Sequence, residues 1–244
     1  MFTTLADLRD FYQTPLGLRT QRVLRARLNG LEIGLRGAQV LTLGYGVPLL
    51  DPLRHEAAAV YAFMPATQGV MRWPDEGANS ASLVDLAHLP LPDDSMDYVI
   101  ALHALEGLAE PSPLLREVWR VMKAEGRLLL IVPNRRGLWA HSDRTPFGNG
   151  QPYSAAQIEK ALNHQGFFVD RLRSALYAPP SGSKLGLSLA DSIEKFAAQI
   201  FPSLGGVLLI EASKQLCAPL GTTERARQRR LLSLSLPEVS PLPT

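Results

Sequence analysis

Cysteine is almost absent: Cys217 is the only one in 244 residues. No disulfide can form within the chain, and a zinc site built mainly from thiolates is excluded. Long apolar runs are missing as well. No window reaches about 18 uninterrupted apolar residues, so no membrane span is expected. The opening residues are acidic and polar where a signal peptide would be apolar, which makes a cytoplasmic protein the expectation. Charge of one sign is scarce, with 25 Lys+Arg against 23 Asp+Glu. Such a balance gives no strong global attraction to nucleic acid or to a membrane. The histidines at 55, 88, 103, 141 and 164 show no i, i+4 pairing, so no metal site is expected. A Gly-x-Ser-x-Gly elbow and a Gly-Lys-Ser/Thr loop are both missing, which weighs against an α/β-hydrolase and an NTPase. Leu49 stands where a nicotinamide-binding turn would carry its third glycine. Asp93 and Asp94 are adjacent in a turn and point apart, a poor acid/base pair.

What is present is an alternation of short apolar runs and amphipathic segments. Hydrophobic residues make up 46% of the chain, and 19 glycines and 19 prolines are too many for a simple helical bundle. Leu5, Leu8, Phe11 and Tyr12 recur at helical spacing, and Pro15 restarts the chain. Leu18, Val23, Leu24 and Leu28 then form a stripe among Arg19, Arg22, Arg25 and Arg27, which reads as a solvated face ended by Asn29-Gly30. Buried strands are predicted at Ala38–Leu43, Ala58–Met64, Ser82–Asp85, Met96–Leu102, Arg127–Val132, within Phe167–Tyr177 and at Gly206–Ala212. Helices are predicted at Leu49–Ala58, Pro113–Lys123, Ser154–Gln165 and Ser188–Phe201. This rhythm implies right-handed crossovers and a largely parallel sheet. Residues 222–244 carry four arginines and a Ser/Leu/Pro tail, read as a weakly ordered extension.

Several ordered pieces then narrow the reading. Gly44-Tyr45-Gly46 closes the first strand and leads into a helix. It is followed by V-D-L-A-H-L-P-L-P-D-D-S-M-D-Y-V, by H-A-L-E-G-L, and by L-L-R-E-V-W-R-V-M-K-A-E-G-R-L-L-L-I-V-P-N. Over roughly residues 37–170 this resembles the class I S-adenosylmethionine-dependent methyltransferases of the type 11, small-molecule group. The resemblance implies an α/β, Rossmann-like seven-stranded mixed sheet of order 3-2-1-4-5-7-6 with helices on both faces. It implies a helical lid over residues 1–36, the methyltransferase-like domain over 37–217 and a tail over 218–244. It implies S-adenosylmethionine as cofactor, held by Gly44, Tyr45, Gly46, Met64, Asp85, Leu86 and His103. Asp85 matches the acid that accepts from the adenine amino group, which suits a group that only accepts. His103, at the end of the fourth strand, is read either as a general base, its ordinary pKa lying near neutrality, or as a lining residue of the cofactor pocket. Asp97 matches an acid on the far side of the sheet and is read as structural.

Two departures are visible. Pro48 replaces the third glycine of the family's turn, and Thr42 stands at its usual acid. The second strand ends Tyr61-Ala62-Phe63-Met64-Pro65 without the acid that binds the ribose hydroxyls, leaving Gln68 as the candidate substitute. The substrate end offers Tyr12 on the first helix and Asn134, Arg135, Arg136 and Trp139 in the loop after the fifth strand. Adjacent arginines near a tryptophan suit a carboxylate, a phosphate or an aromatic acceptor, and a solvated loop is the competing reading. Two functions follow. One is methyl transfer to a small-molecule acceptor, for which alignment and desolvation suffice without an obligatory acid/base set. The other is a catalytically degenerate, methyltransferase-like binding module acting through a protein partner. Neither nucleic acid nor membrane is expected as a partner, and a homodimer is left open.

Overall fold

The computed structural model describes residues 4–28, 35–50 and 54–214. The expected stop at Asn29-Gly30 and the tail from 218 lie outside the described residues. Seven strands form one sheet: β1 (Gln39–Gly44), β2 (Ala59–Pro65), β3 (Ala81–Val84), β4 (Met96–Leu102), β5 (Met122–Pro133), β6 (Phe167–Ala175) and β7 (Val207–Lys214). Their spatial order is β3-β2-β1-β4-β5-β7-β6. All pairings are parallel except those of β7, which runs antiparallel to β5 and β6. This is the seven-stranded mixed sheet of the class I methyltransferase fold.

Side chains alternate between two cores, as the period of two along a strand requires. Val40, Ala62, Ile100, Leu129 and Leu209 face the first core. Leu41, Phe63, Val99, Leu130 and Ile210 face the second. Helices α4 (Ser112–Val121) and α5 (Ala155–His164) cover the second core with Leu114, Leu115, Val118, Ile158 and Leu162. Helices α1 (Leu5–Gln13) and α2 (Pro15–Leu28) cover the first with Leu5, Leu8, Phe11, Tyr12, Leu24 and Leu28. Helix α6 (Lys184–Ile200) leads into β7.

Three expectations are corrected. The helix after the glycine turn, α3, is described over Val47–Leu50, and residues 54–58 are turns and bends where helix was expected; its start is tied down by Gln21 and Arg25 of α2, which both donate to the Pro48 carbonyl. Helix α6 begins at Lys184, earlier than predicted, because the Ser183 hydroxyl accepts from Gly186 N. Arg19 is not part of a solvated face. It is buried, donates to the Ala190 carbonyl, and meets Asp191 at 3.3 Å and Glu194 at 3.6 Å. Asp97 is structural as read: it accepts from Gln39 N and Lys123, stapling the starts of β1, β4 and β5. Burial pushes its carboxyl upward, but these hydrogen bonds outweigh it and hold the group below its ordinary range.

Candidate functional site

The carboxyl ends of β1 and β4 meet at the glycine turn. Gly44 has φ +80°, and a Cβ there would lie 2.3 Å from the Leu102 carbonyl. Only glycine fits that close approach of two strand ends. A Cβ on Gly46 would strike Thr42, so the turn packs against the residue that stands at the family's usual acid. Tyr45 is buried and donates its backbone N–H to the Leu102 carbonyl at 2.8 Å. Burial raises its phenol to about 12.

His103 follows β4 with φ +56°, the left-handed region that few residues other than glycine adopt. Backbone of this kind collects at functional sites because the surroundings must hold it. Its Nδ1 lies 3.1 Å from Glu106 Oε1, its Nε2 lies 3.0 Å from the Tyr12 hydroxyl, and its carbonyl accepts from Gln68 Nε2 at 2.8 Å. Glu106 Oε2 accepts from Leu105 N. An ionised carboxylate only accepts, so Glu106 assigns the proton to Nδ1 and leaves Nε2 the acceptor of the Tyr12 hydroxyl proton. Both His103 and Glu106 are buried. Burial raises the Tyr12 phenol well above its ordinary value, with the Glu106 charge and Tyr45 adding to the rise.

Aromatic rings close over this point. Tyr12 lies 5.7 Å from Tyr45 and 5.9 Å from His103, and Phe147 lies 4.7 Å from His103. The start of α1 is tied to the same place, since Leu5 N donates to the Gln68 carbonyl.

Beyond β2 and β3 the surface opens. A cleft of about 220 Å³ is lined by Pro65, Thr67, Asp85, Leu86, Leu108 and Leu114. Asp85 is exposed there, bonded to Ala87 N and His88, and those hydrogen bonds lower its carboxyl. Among the described residues Gln68 Oε1 is buried with no partner, an acceptor left open beside the His103 carbonyl. Met64 is buried, with its sulfur accepting from Met71 N.

The substrate loop divides. Trp139 is fully buried, donates to the Ala178 carbonyl and stacks edge-on against Phe147, so it belongs to the core. Asn134 is buried and spans to the Ser203 and Gly205 carbonyls, so it fixes the loop. Arg135 reaches back to the Pro152 carbonyl. Arg136 is exposed and lines a cleft of about 630 Å³ together with Asn134, Arg27, Arg173 and Tyr177.

An S-adenosylmethionine molecule can be tested against these residues. The Asp85 cleft and the open Gln68 acceptor fit its nucleoside end. At the glycine turn, Tyr12 and Tyr45 stand over the backbone, and the fit there needs α1 to withdraw. Glu106 was not singled out from the sequence. Its signal was available, because it follows His103 by three residues within H-A-L-E-G-L.

The fold is that of the class I methyltransferases, and the comparisons point the same way. Residues 41–130 match a family model described as "Methyltransferase domain". A Mycobacterium tuberculosis protein named "Probable S-adenosylmethionine-dependent methyltransferase" is 34% identical over 93 residues, which is 38% of this chain and 33% of that protein. The chain thus spans about a third of the length of the curated relatives it matches. A SAM-dependent methyltransferase structure from Thermotoga maritima superposes with TM-score 0.60 at 14% identity, covering 86% of this chain and 96% of that one. A structure of the Haloferax volcanii Trm112 methyltransferase activator with a methyltransferase gives TM-score 0.61 at 19% identity, covering 86% and 95%. At such identities the solved structures establish the fold.

Proposed function

We propose that the chain transfers a methyl group from S-adenosylmethionine to a small-molecule acceptor. The observation that carries this is His103, buried at the glycine turn with its Nδ1 on Glu106 and its Nε2 turned toward the lid residue Tyr12. In this reading the Asp85 carboxylate accepts from the adenine amino group at the cleft beyond β3. Gln68 Oε1 takes a ribose hydroxyl, replacing the carboxylate that β2 lacks. Gly44, Tyr45 and Gly46 back the methionine portion once α1 swings aside. The bound cofactor supplies a methyl group activated by its sulfonium. The chain aligns the acceptor, excludes water and, through His103 Nε2, receives the acceptor's proton. Arg136, with Arg27 and Arg173 nearby, is positioned for an acceptor that carries an anionic group.

A second reading is a binding module that has lost catalysis and works through a partner. It is favoured by the aromatic rings over the turn and by the missing carboxylate on β2. Isothermal calorimetry decides between them. Binding of S-adenosylmethionine is expected. Absence of both heat and thermal shift at millimolar cofactor overturns methyl transfer and leaves the second reading.

A further inference from the structure

Helix α6 is turned inside out. Its buried residues are Ala190 and Glu194. Leu185 (71% exposed), Leu189 (50%), Ile193 (37%), Phe196 (66%) and Ile200 (50%) face solvent. At about 100° per residue these five fall within roughly 80° of one another, a single stripe along the helix. An amphipathic helix ordinarily turns such a stripe to the core. Phe201 and Leu204, both exposed, extend the apolar surface past the helix end.

The inversion has a cause. Glu194 accepts from Leu176 N and Tyr177 N at 2.8 Å, and from Ala178 N at 3.4 Å. It also faces buried Arg19, which bonds the Ala190 carbonyl and Asp191 on the same helix. These contacts hold the carboxylate face inward and leave the leucines and phenylalanines outside. A contiguous apolar patch of this kind marks an interaction surface.

The stripe also says what covers it. Leu189 and Phe196 stand equally far from a midpoint between Ser192 and Ile193, and so do Leu185 and Ile200. An antiparallel helix related by a two-fold axis through that midpoint would set Leu189 against Phe196 of the other copy and Leu185 against its Ile200. A surface complementary to itself is the requirement of an isologous dimer. A helix lying on a membrane would carry a polar face rich in lysine and arginine. Here the exposed polar face of the helix carries two lysines, Lys184 and Lys195, with Asp191 beside them, which is too few cations for such a face. Seven large side chains, most of them half exposed or more, approach the roughly 800 Å² that each partner contributes to a standard interface.

We infer that α6 is the interface of a homodimer, with two copies of the helix packed antiparallel about Ser192–Ile193. The inference does not depend on the proposed activity. Light scattering after size exclusion, on the full chain at micromolar concentration, is expected to give twice the 26.7 kDa chain mass. Phe196→Asp is expected to halve that mass, with the far-UV spectrum and melting temperature of the monomer unit retained. In a Cys217→Ser background, Ile193→Cys is expected to form an intermolecular disulfide on mild oxidation, because the axis brings the two copies within bridging distance. A monomeric wild-type chain overturns the inference. So does a dimer that survives Phe196→Asp, or a dimer in which Ile193→Cys does not cross-link. Flotation of the wild-type chain with anionic phospholipid vesicles, lost in Phe196→Asp, would assign the face to a membrane and would also overturn it.

Discussion

Helices α1 and α6 are both amphipathic, yet they present opposite faces to the protein. Helix α1 buries Leu5, Leu8, Phe11 and Tyr12, and its Tyr12 hydroxyl reaches the Nε2 of His103. Helix α6 buries a carboxylate and turns its leucines and phenylalanines outward. The difference lies in one long-range partner. The inner face of α1 meets His103 through a neutral hydroxyl, that of Tyr12, whereas Arg19 on α2 offers α6 a buried cation. Periodicity therefore shows that a helix has two faces, and a single buried charge decides which one turns inward. A buried ionic partner is costly to leave unpaired, so Arg19 and Glu194 turn inward together.

Breaking that partner gives the largest expected effect. Glu194→Ala removes the buried carboxylate that faces Arg19, leaving it the exposed Asp191 and the Ala190 carbonyl, and strips the N–H groups of Leu176 and Tyr177 of their acceptor. A loss of about 3–5 kcal/mol is expected, read as a melting temperature lower by roughly 10 °C in a circular-dichroism scan. Glu194→Gln, which keeps an acceptor oxygen but removes the charge, should lose nearly as much. A much smaller loss than for Glu194→Ala would show that the acceptor oxygens, and not the charge, orient α6.

On the α1 side, His103→Ala tests what the lid covers. If Nε2 receives the acceptor's proton, turnover falls about 10²–10⁴-fold, with cofactor affinity changed little. Glu106→Gln is expected to lower turnover less and to shift its pH profile, because the amide can no longer fix the imidazole tautomer by charge. The check is a steady-state methyl-transfer assay across pH once an acceptor is in hand.

Both helices also explain what could be read in advance. The strand β4 fell at Met96–Leu102 to the residue, because a half-buried strand between turn signals is written in its own neighbourhood. The sheet order came through resemblance, carried by the ordered pieces from Gly44 to Asn134. Arg19 was misplaced because its partners lie about 170 positions further along the chain, where no local pattern points. Trp139 reads as a substrate-binding residue because it sits among arginines after the fifth strand; its burial comes from Phe147 and from the Ala178 carbonyl, the latter remote in sequence. Glu106 was missed for a different reason: it was close at hand, but its role appears only when β4 ends in a left-handed residue that turns the imidazole back over it.

A smaller effect separates the phenols by burial. Tyr45 titrates at about 12, raised by burial, and Tyr12 is raised well above its ordinary value of 10.0 by the same cause. A phenol whose folded pKa lies above its unfolded value contributes stability that is complete below the unfolded value and is lost as pH climbs through the folded one. Stability is therefore expected to hold up to about pH 10 and to fall between there and the Tyr45 value of about 12. Ultraviolet titration at alkaline pH should show these two tyrosines ionising last or with unfolding. Tyr45→Phe should remove part of the fall, and an unchanged curve would place Tyr45 nearer to solvent than its packing against Tyr12 implies.

The smallest effect concerns the hold of the lid itself. Tyr12→Phe keeps the ring that packs between Phe11, Tyr45 and His103 and deletes only the hydroxyl on Nε2. A hydrogen bond of this kind contributes about 1 kcal/mol, so the closed arrangement of α1 should weaken by about fivefold. In the proposed reading, the closed position of α1 competes with the cofactor for the glycine turn. Cofactor affinity is therefore expected to rise by about that factor, in calorimetry against the wild-type chain. Phe196→Asp on α6 serves as the counterpart, since no residue of its stripe lines the Asp85 cleft, and should leave cofactor affinity where it was. Equal affinity in the wild-type and Tyr12→Phe chains would mean that α1 does not gate the crevice. The two helices would then differ in what they bury, without one of them controlling entry.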